Sequence, residues 1–472
     1  MNTPQMDLVV KGGEIVGSSS VYRTDIAIHG GKIVSIGLAD QWPSARETID
    51  ATGKQVFPGI VDVHTHCRNF SHHIENFQDL SRSGAYGGVT SIITLVMIPP
   101  RTEMMPSDCL VHFIEVEGRD CYLDFGFHAG LYDRPGILED IPKIVGLGVT
   151  SFKFMMAYKK RGIHATDAFI SGAMKRVADV GGLSMVHAED GEIIESYERE
   201  MIAAGRVGFR DFYPTRPNRA EEMAVVKAVA MADVSRCPLY IVHLSAAEAL
   251  ARVKEARAAG KRIWVETCPQ YMLLTDDLME TMGPLSKIGP PLRTKSDLEA
   301  MWEGVLGGWI AVIGSDHSAH SRETKKPGYT NIFDAWFGCP GIETNLPLMY
   351  SEAVSKRGLP PWFLARKLSE NPARIFGLYP RKGVIQVGSD ADLVIIDPQK
   401  EMTIRAGEQH TKSDYSLFEG WKIKGVPVLS LLRGQVLLQD GRLMQNRGCG
   451  RYIERQPFDG AWKLFPNNLV RD

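Results

Sequence analysis

Hydrophobic and polar positions follow two different rhythms along this chain of 472 residues. Near the N-terminus, apolar and polar side chains alternate at 7–11, 25–29 and 32–36, with pairs of glycines between these segments. A period of two residues predicts half-buried strands that are joined by tight turns. The same texture returns at 383–397 and near 427–442. We therefore expect both ends of the chain to pair in one small β-sandwich.

The middle of the chain alternates short, continuous apolar runs with helix-like segments. Eight such runs lie at 59–64, 89–97, 122–129, 149–154, 183–187, 239–243, 262–266 and 310–316. Continuous apolar strands that are separated by helices are typical of a parallel sheet buried on both faces. Eight repeats of this unit predict an α/β fold, a (β/α)8 TIM barrel, whose functional residues lie at the C-terminal ends of the strands.

These two hydrophobic patterns predict the domain boundaries. We expect a β-sandwich domain from residues 1–57 and 380–449, and a catalytic barrel domain from residues 58–379. Residues 450–472 form a polar tail with scattered aromatic residues. This tail is a candidate for contact with another subunit.

Composition and charge narrow the class of protein. Hydrophobic residues make up 44% and charged residues 23%, as in soluble globular proteins. A net charge of −2 gives no support for a nucleic-acid or membrane-surface partner. The N-terminus lacks the layout of a secretory signal, and no apolar run approaches the length that spans a bilayer. Seven scattered cysteines without a CxxC pair favour reduced thiols and a cytoplasmic location.

The first run of the predicted barrel ends in two histidines, His64 and His66. Side chains two residues apart on a strand project from the same face, so both imidazoles can reach one ion. Neutral imidazoles suit a borderline-soft divalent metal such as zinc. The pair therefore predicts a metal site at the end of the first strand.

Further ionisable side chains stand where other predicted strands end. Lys153 lies inside an apolar run, where an ammonium group is costly unless it is paired, deprotonated or chemically altered. Taken singly, each of these residues also fits an ordinary role at a barrel rim, in a turn or at a helix cap. Together with the histidine pair of the first strand they make six residues at one end of one barrel, which favour a metal site instead. The six are His64, His66, Lys153, His187, His243 and Asp316.

Eight ordered segments resemble the amidohydrolase superfamily and, within it, the cyclic amidases: dihydropyrimidinases, hydantoinases, allantoinases and dihydroorotases. The segments are KGGEIV, PGIVDVHTH, SFKFMMAY, VHAED, IVHLS, GPPLR, IGSDHSAH and GSDADLVIID. The resemblance extends over nearly the whole chain. It implies a hydrolase that opens a small cyclic amide or ureide ring, such as a hydantoin or a dihydropyrimidine. It also implies a homo-oligomer, either a tetramer or a dimer.

The same resemblance implies a centre with two divalent metal ions, usually zinc. The implied ligands are His64, His66 and Asp316 for the first ion, His187 and His243 for the second, and a carboxylated Lys153 that bridges the two. A hydroxide between the ions would attack the ring. Asp316 would carry its proton to the leaving ring nitrogen. Tyr158 would stabilise the oxyanion, a role that favours the hydantoinase and dihydropyrimidinase branch.

Three positions depart from the usual hydantoinase pattern. Arg68 completes the pattern His-x-His-x-Arg, with which dihydroorotases bind a substrate carboxylate. Gly289 replaces a serine at a point where the family binds the ring amide through the backbone. Phe337 stands where an asparagine usually offers its backbone carbonyl. We expect these three residues and Tyr158 to contact the substrate.

These departures leave the choice of substrate open. The alternative activity is that of a dihydroorotase- or allantoinase-like hydrolase, which acts on a carboxylated or ureido ring. A mononuclear deaminase of the same superfamily would lack a lysine at the position of Lys153. The collapsin response mediator proteins share the fold without metal, but they have lost ligands that this chain retains.

Overall fold

A parallel barrel forms the larger part of this computed structural model, which describes residues 5–42, 44–67, 74–100 and 102–457. Each strand pairs with the next one along the chain, so the spatial order follows the sequence. We number the barrel strands one to eight: Ile60–His66, Val89–Met97, Asp124–Leu131, Ser151–Met155, Leu183–His187, Leu239–Ile241, Ile263–Thr267 and Val312–Ile313. Their side chains are almost all buried, because both faces of a barrel sheet are covered. This explains the continuous apolar runs.

The eighth strand closes the barrel in two short pieces. Val312–Ile313 pairs with barrel strand seven, and His317–Ser318 pairs in parallel with barrel strand one. The sequence predicts a single run at 310–316, whereas the structure interrupts it before Asp316. The φ angle of Asp316 is 48°, in the left-handed region, where a residue cannot continue a strand. The ladder therefore breaks at one of the predicted site residues.

Helices follow the strands and cover the outside of the barrel. The α-helices of ten or more residues in the described part of the chain are Phe77–Tyr86, Pro106–Glu115, Ile137–Gly146, Asp167–Asp179, Gly191–Ala203, Asn218–Ser235, Ala247–Ala258 and Lys295–Leu306. Shorter α-helical segments are Pro269–Leu273, Leu278–Met282, Arg322–Lys325, Asn345–Met349, Pro361–Ala365 and Asn371–Ile375. The first long helix begins after Asn76, whose side-chain oxygen accepts a hydrogen bond from the backbone of Asp79 at 2.8 Å. That bond satisfies one of the free amides of a helix N-terminus.

The two ends of the chain form a β-sandwich. In spatial order, one sheet contains Lys32–Gly37, Asp25–His29, Met6–Lys11 and Ala45–Asp50, and the other contains Arg442–Leu443, Gln435–Gln439, Lys422–Leu432, Leu393–Thr403, Gln55–Pro58, Glu14–Val16 and Val21–Arg23. The antiparallel pairing of Val394 with Phe57 joins the C-terminal segment to the N-terminal one. Apolar residues of both sheets, such as Ile28 and Ile395, share one buried core. The predicted fold class, a TIM barrel with a small sandwich from both ends, is confirmed.

A buried ionic cluster lies where the sandwich meets the barrel. The Nζ of Lys382 is 2.5 Å from an oxygen of Asp124, 2.6 Å from one of Asp392 and 3.0 Å from one of Asp390. Arg433 also forms an ion pair with Asp124. Lys32 and Arg381 pair with Asp390 as well, so four cations of the chain itself surround the three carboxylates.

The first residues of the predicted C-terminal tail pack against the barrel of the same chain. The backbone of Phe125 donates to the carbonyl of Arg451 at 2.9 Å and accepts from Ile453 at 2.7 Å. The side chain of Arg455 is buried, and it donates to Ser151 and to the carbonyl of Phe127. Residues 458–472 lie outside the described residues, so the contact with another subunit stays a prediction. No helix in the described ranges is both long and apolar enough to cross a membrane.

Candidate active site

The C-terminal ends of five barrel strands bring the predicted site residues to one cavity. Barrel strand one carries two of them, barrel strand four carries one, and the others stand at or just beyond the ends of strands five, six and eight. The cavity opens to solvent and has an empty volume of about 900 Å³. Among its lining residues are His64, His66, Lys153, His187, His243 and Asp316, together with Tyr158, Gly289 and Phe337.

Three of these side chains converge on one point. The Nε2 atoms of His64 and His66 lie 3.3 Å and 3.1 Å from the same carboxylate oxygen of Asp316. All three ligand atoms fall within 4.8 Å of one another. Two imidazole nitrogens and a carboxylate oxygen at this separation are a suitable ligand set for a divalent metal ion.

Two further histidines face each other beside this cluster. The Nδ1 of His187 is 2.9 Å from the Nε2 of His243. The rings of His64 and His243 stack with their centroids 5.3 Å apart, so the pair adjoins the first cluster. Burial lowers the pKa of both His187 and His243, and their mutual repulsion adds to the effect at His243. Both rings are therefore held neutral, in the form that binds metals.

Two buried carboxylates orient these histidines from behind. Glu266, in barrel strand seven, lies 2.5 Å from Nδ1 of His64 and also accepts a hydrogen bond from the hydroxyl of Tyr240. Glu189 lies 2.8 Å from Nε2 of His187 and forms an ion pair with Arg216. A carboxylate on one ring nitrogen leaves the other nitrogen as the free electron donor. In both histidines that other nitrogen is the one that faces the cluster.

Sequence reasoning missed these two carboxylates, although the sequence contains a signal for each of them. Glu266 lies inside the apolar run 262–266, as Lys153 lies inside its own run. A buried charge in a barrel strand requires a partner. Glu189 follows His187 by two residues and therefore could have been recognised as its partner on the same side of the chain.

Lys153 projects into the cavity from barrel strand four. Its side chain is buried, and no partner within hydrogen-bonding or ion-pairing distance is found for its Nζ in the described part of the chain. Burial lowers the pKa of Lys153 to about 8, although Asp316 and Glu266 act in the opposite direction. At pH 7 most of this amine is still protonated, but its neutral fraction is far larger than that of an ordinary lysine.

Three site residues have strained backbone conformations. The φ angles are 71° for Tyr158, 38° for His243 and 48° for Asp316, although none of these residues is glycine. Left-handed φ angles cost free energy in residues with a Cβ atom and persist where the surroundings enforce them. Such residues concentrate at functional sites, so the strain independently marks the same three positions.

The residues present fit a divalent metal ion. The Nε2 of His64 is buried and has no hydrogen-bond partner among the residues that the structure describes, although it faces Asp316. An orphaned buried nitrogen is costly unless a ligand uses its lone pair. The nitrogens that face the cluster, the carboxylate of Asp316 and the two carboxylates behind the histidines all suit a cationic ligand.

Comparison with known proteins agrees with this arrangement. The model of the Amidohydrolase family matches residues 55–437. The chain belongs to the amidohydrolase family.

This amidohydrolase is similar over its whole length to several enzymes. It is 32% identical to an L-hydantoinase of Paenarthrobacter aurescens and 34% identical to a D-hydantoinase of Rhizobium radiobacter. The alignments cover 96% of this chain and 99% and 100% of the two relatives. A crystal structure of dihydropyrimidinase from Brevibacillus agri superposes with a TM-score of 0.91 at 32% identity, covering 95% of this chain and 98% of that one. The expected membership of the amidohydrolase superfamily, close to the hydantoinases, is confirmed.

One wall of the cavity contains three of the residues that we predict to contact the substrate. The ring of Tyr158 lies 4.8 Å from the ring of His187 and 5.6 Å from that of Phe337. A Cβ atom at Gly289 would stand 2.5 Å from the Tyr158 hydroxyl and 3.1 Å from the Phe337 ring. Glycine at this position therefore leaves the space that the phenol and the phenylalanine ring occupy.

Arg68, the fourth predicted contact residue, lies outside the described residues. Its expected role in binding a carboxylate remains a prediction. A different arginine, Arg161, lines the cavity and was not singled out from the sequence. It lies in a polar segment, Lys-Lys-Arg-Gly, whose position relative to the site could not be read from the pattern.

Proposed function

We propose that this amidohydrolase opens a cyclic amide or ureide ring of the hydantoin or dihydropyrimidine type, by hydrolysis of one ring C–N bond. The observation that carries the proposal is the placement of Lys153, Asp316 and Tyr158 around one cavity, among four histidines. Its relatives are named as hydantoinases, and a structural neighbour as a dihydropyrimidinase. A reaction of this kind needs a nucleophile, a group that carries the proton and a hydrogen-bond donor to the oxyanion. The cavity offers residues for each of these tasks.

Two divalent ions, with zinc as the first candidate, complete this proposal. The residues that would hold them are His64, His66 and Asp316 for one, His187 and His243 for the other, and carboxylated Lys153 for both. When bound, such ions polarise a carbonyl group and lower the pKa of water.

The proposed carboxylation of Lys153 follows from its environment. The neutral amine adds through Nζ to the carbon of CO2, and one proton leaves, so that a carbamate anion replaces a cation. The lowered pKa of Lys153 makes the neutral amine available. No group among the described residues pairs with the Lys153 amine. Carboxylation therefore replaces an unpaired buried cation with an anion that metal ions can bind.

Asp316 would transfer the proton, and Tyr158 would stabilise the oxyanion. Burial opposes ionisation of Asp316, but His64 and His66 outweigh it and keep the pKa of Asp316 below its ordinary value. The carboxylate is therefore ready to accept a proton from the attacking water and to deliver it to the ring nitrogen as the C–N bond breaks. Burial raises the pKa of Tyr158, so its phenol stays protonated and can donate a hydrogen bond to the oxyanion.

The proposal is tested with purified enzyme and a panel of rings: hydantoin, dihydrouracil, dihydroorotate and allantoin. Ring opening is followed by ultraviolet absorbance and by chromatography of the product, and bound metal is measured by elemental analysis. We expect turnover of hydantoin or dihydrouracil and two transition-metal ions per chain. Replacement Lys153→Ala should abolish most activity and lower the metal content. Turnover of no member of the panel by the metal-loaded enzyme would contradict the proposed function.

We further propose a cytoplasmic homo-oligomer, a dimer or a tetramer. Two barrel helices, Gly191–Ala203 and Asn218–Ser235, expose apolar side chains. Among them are Val226 at 48% and Val234 at 83% exposure. Apolar residues on one surface are typical of a contact with another subunit. Light scattering coupled to size-exclusion chromatography tests the assembly, and a single-chain mass of 52.3 kDa would contradict it.

A further inference from the structure

Arg161 brings a positive charge to the cavity through a tight turn. The turn Lys159–Arg161 follows Tyr158, and the backbone of Arg161 donates to the carbonyl of Tyr158 at 3.0 Å. Ala165 then donates to the carbonyl of Met155 at 2.8 Å, which returns the chain to barrel strand four. The backbone therefore holds Arg161 beside the oxyanion donor proposed above.

The guanidinium of Arg161 is surrounded by aromatic rings. Its Cζ atom lies 5.1 Å from the ring centre of Tyr158, 4.9 Å from that of Trp336 and 5.0 Å from that of Phe337. Rings fix the plane of a guanidinium and attract its charge, but they do not accept its five N–H groups in the manner of a carboxylate. The rings therefore hold the guanidinium in place but leave its N–H groups available to bind a ligand.

No carboxylate of the described residues forms an ion pair with Arg161, whereas both of its neighbours are paired. Lys159 pairs with Glu192, and Lys160 pairs with Glu198 at 2.9 Å. The Arg161 side chain is half-buried, and burial lowers its pKa. A partly desolvated guanidinium without a counter-ion favours an anionic ligand.

Two further basic residues pack on the ring of Phe337. Lys287 Nζ lies 4.4 Å from the ring centre and donates to three backbone carbonyls, and burial lowers its pKa. Arg216 lies 4.6 Å from the same ring centre, and Glu189 balances its charge. Glu198 also acts on Arg161, but its carboxylate pairs with Lys160 at 2.9 Å. Arg161 therefore has no directly paired carboxylate in the described part of the chain, which favours an anionic ligand.

We infer that Arg161 recognises a carboxylate at the end of a substituent on the substrate ring. The ring of Tyr158 contacts both His187 and the Arg161 guanidinium, which places Arg161 one aromatic ring beyond the proposed metal ligands. A carboxylate carried on a short side chain reaches that far, and a guanidinium binds it through two parallel hydrogen bonds. This inference rests on the proposed function, because it names the substrate class of the same site.

Two matched substrates test this inference: a hydantoin with a carboxyethyl substituent on its ring carbon, and the carbamoylethyl compound of the same shape. We expect the wild-type enzyme to prefer the carboxylate. Arg161→Gln should lower kcat/KM for the carboxylate about 10- to 100-fold and for the carboxamide less than about threefold. Arg161→Lys should restore part of the preference, since it keeps the charge. Lys159→Gln removes a neighbouring cation that is already paired with the exposed Glu192, and it should leave the preference unchanged.

Calorimetric binding of the same two compounds separates this inference from the proposed function. If the wild-type enzyme turns over neither compound yet binds the carboxylate more tightly, and Arg161→Gln removes that difference, the carboxylate site stands and the proposed reaction fails. If Arg161→Gln weakens both compounds equally, Arg161 merely supports Tyr158 and the inference is wrong. Equal kcat/KM values for both compounds in the wild-type enzyme would also overturn it.

Discussion

At the scale of single residues, the site depends on charges that are buried in barrel strands. Glu266 and Lys153 stand in apolar runs, on barrel strands seven and four, and both lie close to the histidine cluster. An uncompensated charge in such a place would destabilise the fold by several kcal/mol. Glu266 forms hydrogen bonds with His64 and Tyr240. Lys153 has no such partner among the described residues, and we therefore propose that it is carboxylated.

The role of Glu266 gives a prediction about metal affinity. Glu266→Gln keeps the shape of the side chain but weakens its hold on Nδ1 of His64, so we expect metal affinity to fall about 10- to 100-fold. Titration with a competing chelator measures this change. Glu299→Gln, on an exposed helix face, serves as the control. Unchanged affinity in Glu266→Gln would show that His64 needs no orientation by a carboxylate.

The hydroxyl of Tyr158 gives a second prediction. Tyr158→Phe retains the ring and its contact with His187 but removes the oxyanion donor. We expect kcat to fall about 100-fold with a small change in KM, because the hydrogen bond strengthens only in the transition state. Steady-state kinetics on the best substrate of the panel measures both constants. Tyr197→Phe, at an exposed position, should have no effect. A loss confined to KM would instead make Tyr158 a ground-state binding residue.

At the scale of elements, loops rather than strands shape the substrate end of the site. The backbone at Gly289 and the ring of Phe337 come from segments that are 48 positions apart, and they meet against Tyr158. Both positions depart from the usual hydantoinase residue. Gly289 lacks a side chain, and this leaves room for the ring of Phe337. The two departures are therefore coupled through packing.

That coupling predicts the effect of a single methyl group. Gly289→Ala would place its Cβ 2.5 Å from the Tyr158 hydroxyl, and the phenol must move because it is the freer group. We expect kcat to fall by about tenfold or more, since displacements near 1 Å can cost up to 100-fold. The melting temperature of the variant should change little. Gly407→Ala, which meets no atom within 4 Å, is the control. Full activity in Gly289→Ala would contradict the packing argument.

At the scale of the whole molecule, the sandwich and the barrel are joined by buried charges as well as by apolar contact. Lys382 is 1% exposed and neutralises carboxylates from both units. Burial opposes its charge, but Asp392 and Asp124 outweigh this effect and raise the pKa of Lys382. The junction therefore contributes stability only while the lysine is charged and its partners are ionised.

Lys382→Met tests this junction. It leaves the buried Asp392 without an ion pair and removes one cation from Asp124 and from Asp390, and we expect the free energy of unfolding to fall by about 3–5 kcal/mol at neutral pH. Lys382 and Arg381 hold the pKa of Asp390 below its usual value despite burial, so the wild-type contribution is lost as pH falls through the acid range. The difference between the two proteins should therefore shrink in acid. Urea unfolding at several pH values measures it, with the exposed Lys143→Met as the control. A constant difference at all pH values would contradict the ionic account.

Patterns along the sequence were enough to predict the fold class and most of the candidate site. Periods of two residues and continuous apolar runs report burial on one or both faces, which local chemistry dictates, so the barrel and the sandwich could be predicted. The histidines and Lys153 could be placed because strand ends of a barrel always meet on one face. The family resemblance then named their partners, and the comparisons confirmed the family.

The contacts among these residues could not be predicted from such patterns. The break of the eighth strand at Asp316, the carboxylate of Glu266 behind His64 and the unpaired guanidinium of Arg161 depend on residues far apart in the chain. Periodicity records whether a side chain is buried, but it contains no information about which distant atom it touches. Distances and partners, and with them the charge of the pocket wall, come from long-range packing alone.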